Sequence, residues 1–401
     1  MTDRIYYRDS YCRRFDATVA RAFEHEGRPA AILDRTAFYP ASGGQPFDTG
    51  RLGDVRVVEA LDLSDEVVHV LSAPLDSGAT VAGEVDWTRR FVHMQQHTGQ
   101  HLLSAAFDRL FGTRTVGFHM GAEVSTIDLA REAAPGEIER AVDQANRVVW
   151  ENEVVSVRLV SREEASELPL RKESERAGML RLVEIAGVDL SACGGTHVSR
   201  TGAVGVIAVL SWERVRGGSR VTFVCGNRAL GALRIYRDAV NGSVRTLSVL
   251  PADLASAVER VQTESRGLRK RLKQLQEQQA AHEGARLAAA CDVEVGGVGL
   301  LVQTLVGWDQ AGLRALAAAA TASRPACAVL LAPGPPAAVV VACSVGVQVD
   351  ASAVLRELTG RFGGRGGGTR ELAQGGGFRA PVEEIASAAR LAVETKLSPG
   401  S

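Results

Sequence analysis

Arg89-Arg90-Phe91-Val92-His93-Met94-Gln95-Gln96-His97-Thr98-Gly99-Gln100-His101-Leu102-Leu103-Ser104-Ala105 is the stretch in which the period of the sequence changes. Phe91, Met94, Gln95, Thr98, His101, Leu102 and Ala105 share one face at helical spacing, and Gly112 marks the expected stop. Upstream, residues 1 to about 86 carry short alternating runs, such as 17–23 and 30–34, divided by Gly, Pro and Asp turn signals. That pattern predicts a small β-barrel or sandwich. Downstream, a second helix is expected after Pro135-Gly136, with Ile138, Ala141, Val142, Ala145, Val148 and Val149 on its apolar face, followed by a strand over 154–160. Helices and strands are mixed, so the region to about Asn227 reads as α+β.

Residues 252–290 differ in kind. Leu254, Val258, Val261, Ser265, Leu268, Leu272 and Leu275 alternate steps of four and three, with Arg266, Arg269, Lys270, Arg271 and Lys273 around them. Three heptads of this sort predict a coiled-coil arm that pairs chains. After Gly296 alternating helix and strand patterns return, and the chain closes on two glycine clusters, 363–368 and 373–378. The apolar stretch 326–347 is broken by Pro333-Gly334, and each flank falls well short of the ~20 residues that span a bilayer. Two buried strands around a turn are expected there, and no membrane association.

The composition sets outer limits. In 401 residues, 45% apolar content is enough to fill real cores, which excludes a disordered or fibrous chain. Forty-six basic residues against 47 acidic ones give a net charge of −1, so any site for a polyanion must be a local patch. Six cysteines, at 12, 193, 225, 291, 327 and 343, form no disulfide framework and fit a reducing compartment. Asp3, Arg4, Arg8, Asp9, Arg13 and Arg14 interrupt any apolar core of a signal peptide, and a cytoplasmic location is expected.

Three motifs carry chemistry. His97 and His101 stand at i and i+4 on the predicted helix, so both imidazoles face the same way and can grip one ion. Such a pair alone is equally at home as a solvated or core-satisfied couple. Cys193-Gly194-Gly195-Thr196-His197 adds a thiolate and a third imidazole on a glycine-bearing turn. The joint set of three nitrogens and one sulfur suits tetrahedral Zn²⁺ better than Mg²⁺ or Ca²⁺. Four protein ligands also describe a closed structural clip, and both readings stay open at this point. The third motif, Phe38-Tyr39-Pro40-Ala41-Ser42-Gly43-Gly44-Gln45-Pro46-Phe47-Asp48-Thr49-Gly50, has the composition of a hairpin loop. Its glycines equally allow backbone amides to approach a ligand, to which Gln45 can offer a donor and an acceptor.

Taken together and in this order, the glycine loop, the His97-Thr98-Gly99-Gln100-His101-Leu102-Leu103 segment and Cys193-Gly194-Gly195-Thr196-His197-Val198, followed by Thr201-Gly202, resemble the editing domain of alanyl-tRNA synthetase. They resemble still more the free-standing alanyl-tRNA editing proteins, over roughly residues 1–230, and the rest is similar to the glycine-rich DHH-associated C-terminal domain of their long form. The resemblance implies an α+β fold in four parts: a β-barrel over 1–88, an editing domain of the threonyl/alanyl-tRNA synthetase second-additional-domain type over 89–245, a helical coiled-coil linker over 246–292 and an α/β domain over 293–401.

The resemblance also implies a function, hydrolysis of tRNA for alanine mischarged with serine or glycine. It implies one Zn²⁺ per chain held by His97, His101, Cys193 and His197, and a pocket shaped by Ser42, Gly43, Gly44, Asp48 and Thr49. Zinc lowers the pKa of a bound water to near 7 and polarises a carbonyl, and no Ser-His-Asp or Cys-His nucleophile pattern competes for the role. Gln45, Thr49, Thr98 and the zinc itself are the candidate partners of the serine hydroxyl, a group that alanine lacks, which gives discrimination. His119, in Gly117-Phe118-His119, is similar to the free-standing branch and is expected to touch substrate. Arg361, Arg365 and Arg370 flank the tail glycines and are the candidates for tRNA phosphates, the alternative being a buried turn against a sheet. No GxxxxGK[ST] loop is present, and no aminoacylation activity is expected.

Overall fold

The computed structural model describes residues 2–63, 66–172, 178–291, 293–334 and 336–398. It divides into two compact units, residues 1–243 and 244–401. In the first, β1 (Arg14–His25), β2 (Arg28–Leu33), β3 (Gly50–Leu52), β4 (Val55–Leu63), β5 (Glu66–Leu71) and β6 (Thr80–Val85) close a barrel in the order β1-β2-β5-β4-β3-β6. Alternation fills it: in β6 Val81, Gly83 and Val85 point inward while their neighbours face out. β1 pairs with β6 through its first half and with β2 through its second, with a register irregularity at Val19–Arg21. Val19, Leu33, Phe38, Leu52, Val57 and Leu71 pack the interior.

Helix α1 (Trp87–Phe111) leaves the barrel directly. Asp86 caps it by accepting from the Arg89 amide at 3.1 Å, and Gly112 ends it in the left-handed region at φ 60°. The one apolar face read from the sequence understates its position. Every residue from His93 to Phe107 is buried, polar ones included, because α1 is enclosed on all sides. Its polar side chains therefore need partners within the protein: Gln96 donates to Cys225 O and accepts from Cys225 N, both at 2.9 Å. Gly99 is required where the helix touches the sheet, since a Cβ there would stand 2.3 Å from Cys225 Sγ.

Around α1 lie β7 (Thr115–Met120), β8 (Ser125–Leu129), the amphipathic α2 (Pro135–Glu151), β9 (Val155–Val160), β10 (Leu180–Ile185), β11 (Asp189–Ala192), β12 (Ile207–Val215) and β13 (Gly218–Cys225). They form a four-stranded sheet, β12-β13-β8-β7, and a three-stranded one, β9-β10-β11. Met94, Leu103 and Phe107 of α1, Ile138 and Ala145 of α2, and Ile127 and Phe223 of the larger sheet share one core. Helix α3 (Asn227–Leu247) follows.

The second unit begins with helix α4 (Leu254–Ala289). Val258, Val261, Leu268, Leu272 and Leu275 stand exposed along it. Its last turns are packed: Ala280 and Leu287 join Leu313, Leu316 and Ala317 of α5 (Gln310–Ala320). Gly284 lies so near that a Cβ would be 2.5 Å from Ala319 Cβ. The sheet comprises β14 (Glu294–Val295), β15 (Val298–Thr304), β16 (Ala326–Ala332), β17 (Ala337–Cys343), β18 (Arg365–Gly368) and β19 (Leu372–Phe378), ordered β14-β15-β16-β17-β19-β18. Val354, Leu355 and Leu358 of α6 (Ala351–Phe362) and Ile385, Ala389 and Val393 of α7 (Val382–Leu397) pack against it in a second core.

The glycine tail is corrected here. It is not a buried turn, because residues 365–368 pair with β19 as an exposed edge strand. No described helix is long and apolar enough to cross a membrane.

Candidate metal centre and cleft

Helical spacing brings His97 and His101 to one face of α1, and the segment after β11 returns Cys193 and His197 to the same point. The four ligand atoms lie within 4.8 Å of one another. Cys193 Sγ is 3.4 Å from His97 Nε2 and 3.3 Å from His197 Nε2. A tetrahedron with arms of roughly 2.0–2.3 Å has edges of about 3.3–3.7 Å, and the two sulfur–nitrogen distances fall in that range. Gly195 makes the approach possible, since a Cβ there would fall 2.1 Å from His97 Cε1.

Each imidazole is held from behind at Nδ1. His97 donates to Gln45 Oε1 at 2.7 Å, His101 to Asp189 Oδ2 at 2.7 Å, and His197 pairs with Thr98 Oγ1 at 3.1 Å. Three different outer partners leave three Nε2 atoms for the centre. Asp189 is fixed in turn by Arg171 and by the Ser191 hydroxyl. Burial pushes its carboxyl up, but the bonds from His101 and Arg171 outweigh that and hold it below the usual range. Burial likewise opposes the Cys193 thiolate, yet the charges of His97 and His197 and hydrogen bonds from His101 and His197 bring the thiol well below its ordinary value. A thiolate beside three imidazoles is the protonation state a borderline-soft cation requires.

The glycine loop is built around a two-residue turn. Ser42 and Gln45 exchange both backbone bonds, at 2.9 and 3.1 Å, with Gly43 and Gly44 at φ 57° and 86°. Gly44 rests on β7, where a Cβ would be 2.7 Å from Phe118 O. Ser42 and Gly43 line a cleft of about 390 Å³ together with His97, His101 and Cys193.

The remaining residues expected from sequence take other posts. Gln45 bridges the two halves of the site: its amide donates to Thr196 Oγ1 at 2.9 Å, and its oxygen accepts from both the Thr196 amide and His97. Since a backbone donor fixes that orientation, Gln45 positions the His97 imidazole, and one N–H of its amide remains without a partner among the described residues. Thr98 Oγ1 is taken by His197 and by the Val198 amide. Asp48 does not line the cleft; it is wholly buried, accepts from the Tyr39 amide and pairs with buried Arg90. Thr49 points to Asp86 at the helix cap. His119 lies within β7 and is exposed, whereas Phe118 lines the cleft. Period-two geometry explains that difference, because adjacent strand residues face opposite ways. Arg361, Arg365 and Arg370 are exposed on the second unit.

Several cleft residues escaped the sequence reading. Arg4 pairs with Asp62 at 2.7 Å and donates to Tyr6 and Tyr7. Arg181 binds the metal turn through Cys193 O and Gly195 O at 2.7 and 2.8 Å, and Tyr7 O at 3.0 Å. Asp189 carried a legible signal, since Asp189, Ser191 and Cys193 alternate along one strand face.

Comparison with known proteins places these features in context. The family described as the threonyl and alanyl tRNA synthetase second additional domain matches residues 180–220. The alanyl-tRNA editing protein AlaX-L of Pyrococcus horikoshii is 31% identical over 96% of both chains. The alanine–tRNA ligase of Halorubrum lacusprofundi is 35% identical over 94% of this chain and 42% of its own. The chain thus spans about two fifths of the ligases it matches. The crystallised C-Ala domain of Aquifex aeolicus alanyl-tRNA synthetase shares 28% identity over 26% of this chain and 96% of that domain, with a TM-score of 0.24.

Proposed function

Because this chain belongs to the family of alanyl-tRNA editing proteins, we propose that it is an aminoacyl-tRNA deacylase. Its substrate is tRNA for alanine mischarged with serine or glycine, and its cofactor is one Zn²⁺ held by His97, His101, Cys193 and His197. The observation that carries the reading is the meeting of the donor set and the glycine loop on one cleft. Zinc in such a site supplies a water activated near neutral pH and a Lewis acid for the ester carbonyl. The chain's own residues supply the geometry. Gln45, Asp189 and Thr98 lock the three imidazoles, and Ser42 and Gly43 form the wall facing them. His119, exposed on β7, is assigned to the tRNA side of the cleft rim and not to the reacting group.

The second unit is assigned to tRNA and to assembly in the cytoplasm. It is read as the DHH-associated domain, with Arg361, Arg365 and Arg370 beside the glycine hairpin meeting phosphates. The exposed seam of α4 pairs two chains as a homodimer. A deacylation assay on seryl-, glycyl- and alanyl-tRNA for alanine, with and without chelator, tests the activity. Hydrolysis of the mischarged esters that fails on chelation is expected. A second reading, a zinc clip in a non-catalytic RNA-binding protein, is favoured by the closed set of four protein ligands. Retained metal with no hydrolysis of any ester would establish it instead.

A further inference from the structure

Neither Gln45 nor Thr98 lines the cleft, whereas one polar side chain of α1 reaches it without a full set of partners. Gln100 lies between the two helix ligands, at i+3 from His97 and adjacent to His101, and lines the same cleft. Its amide donates to Ser104 Oγ at 2.8 Å, and Ser104 is held in turn by Thr115 Oγ1 at 2.8 Å. Its carbonyl oxygen has no hydrogen-bond partner among the described residues and is not sealed from the cleft, the residue as a whole being 7% exposed. We propose that Gln100 reads the side-chain hydroxyl of the esterified amino acid, a role that rests on the deacylase reading above.

The chemistry follows from what each amino acid can return to that amide. A hydroxyl is both donor and acceptor, so serine satisfies the free end of Gln100 whichever way the amide is turned. Alanine fills the same space with a methyl and leaves a desolvated polar group unpaired. Glycine leaves it unpaired as well. Gln100 therefore favours seryl esters over both others, and the Ser104–Thr115 anchor means its rotamer is set before substrate arrives.

The test uses the full chain, its metal content measured, with Gln100→Ala and the volume-conserving Gln100→Met. In single-turnover deacylation the ratio of seryl to glycyl rates should fall roughly five- to 150-fold in both variants, with metal content as in wild type. An unchanged ratio, or loss of metal in proportion to activity, overturns the assignment. Binding of non-hydrolysable amide-linked seryl- and alanyl-tRNA analogues provides a readout independent of turnover. Wild type should prefer the seryl analogue, and Gln100→Met should abolish that preference; equal binding by wild type overturns the role. Should wild type hydrolyse no ester, the deacylase reading fails by itself, and the binding comparison still decides what Gln100 recognises.

Discussion

Gln45 Oε1 and His97 Nδ1 lie 2.7 Å apart, and this bond links the barrel loop to the helix that carries two residues of the candidate metal site. Removing an outer partner of a metal-bound imidazole typically costs 10- to 100-fold in metal affinity. Gln45→Ala should therefore weaken metal binding by about that factor and slow seryl, glycyl and alanyl esters alike at limiting metal. Metal titration beside single-turnover deacylation checks it, and a loss confined to the seryl ester would return Gln45 to the role of hydroxyl reader.

Asp189 offers a second lever. Asp189→Asn keeps the shape but withdraws the charge that faces His101 and Arg171. Metal affinity should drop by roughly 10- to 100-fold, and Ser191→Ala should do far less. Competition with a chromophoric chelator measures both.

These two cases show what a sequence carries and what it does not. The four ligands were legible because each pair is local: two histidines at helical spacing, and a cysteine and histidine across a short glycine turn. The barrel and the α+β region were legible through alternation and its replacement by a helical period at Arg89. The employment of Gln45, Asp48, Thr49 and Thr98 was not, because each is settled by a partner up to 151 positions away. Composition cannot distinguish a polar group facing substrate from one facing another side chain. Glycine-rich residues 365–368 misled for a related reason, since pairing with β19 overrode their local preference for loops.

His69 sets an acid limit on the barrel. It is wholly buried, bonded to Thr36 Oγ1 and Ala31 O, and burial pushes its pKa down to about 4. Between the unfolded value near 6.5 and that value, the unfolded chain binds a proton that the folded one refuses. Stability should thus be unaffected by this group above pH 6.5 and fall by ~3 kcal/mol as the pH drops to 4. Urea melts across that range should show a smaller acid loss in His69→Gln than in wild type.

The Arg90–Asp48 pair is buried on both sides, and Arg90 also donates to Ser10 O and Ala37 O. Arg90→Met leaves a carboxylate without its counter-ion and should cost ~3–5 kcal/mol in urea unfolding. Arg90→Met with Asp48→Asn should recover part of the loss.

Leu268 and Leu272 stand exposed on α4 within a heptad seam. The wild type is expected to sediment as a dimer, and changing both to Asp should yield a monomer in sedimentation velocity without lowering helix content. An unchanged profile would overturn the pairing of chains through α4.

The wide spacing of the site along the chain has a consequence for biosynthesis. Ribosomes extend a chain by about 5–20 residues per second, so Gln45 emerges roughly 8 to 30 seconds before His197. Through that interval the nascent barrel can close and α1 can coil, while the two histidines of the helix lack their sulfur and third nitrogen. The candidate metal site is therefore complete only when about half of the chain has been made, so a shortage of its ion would act on a polypeptide already half built.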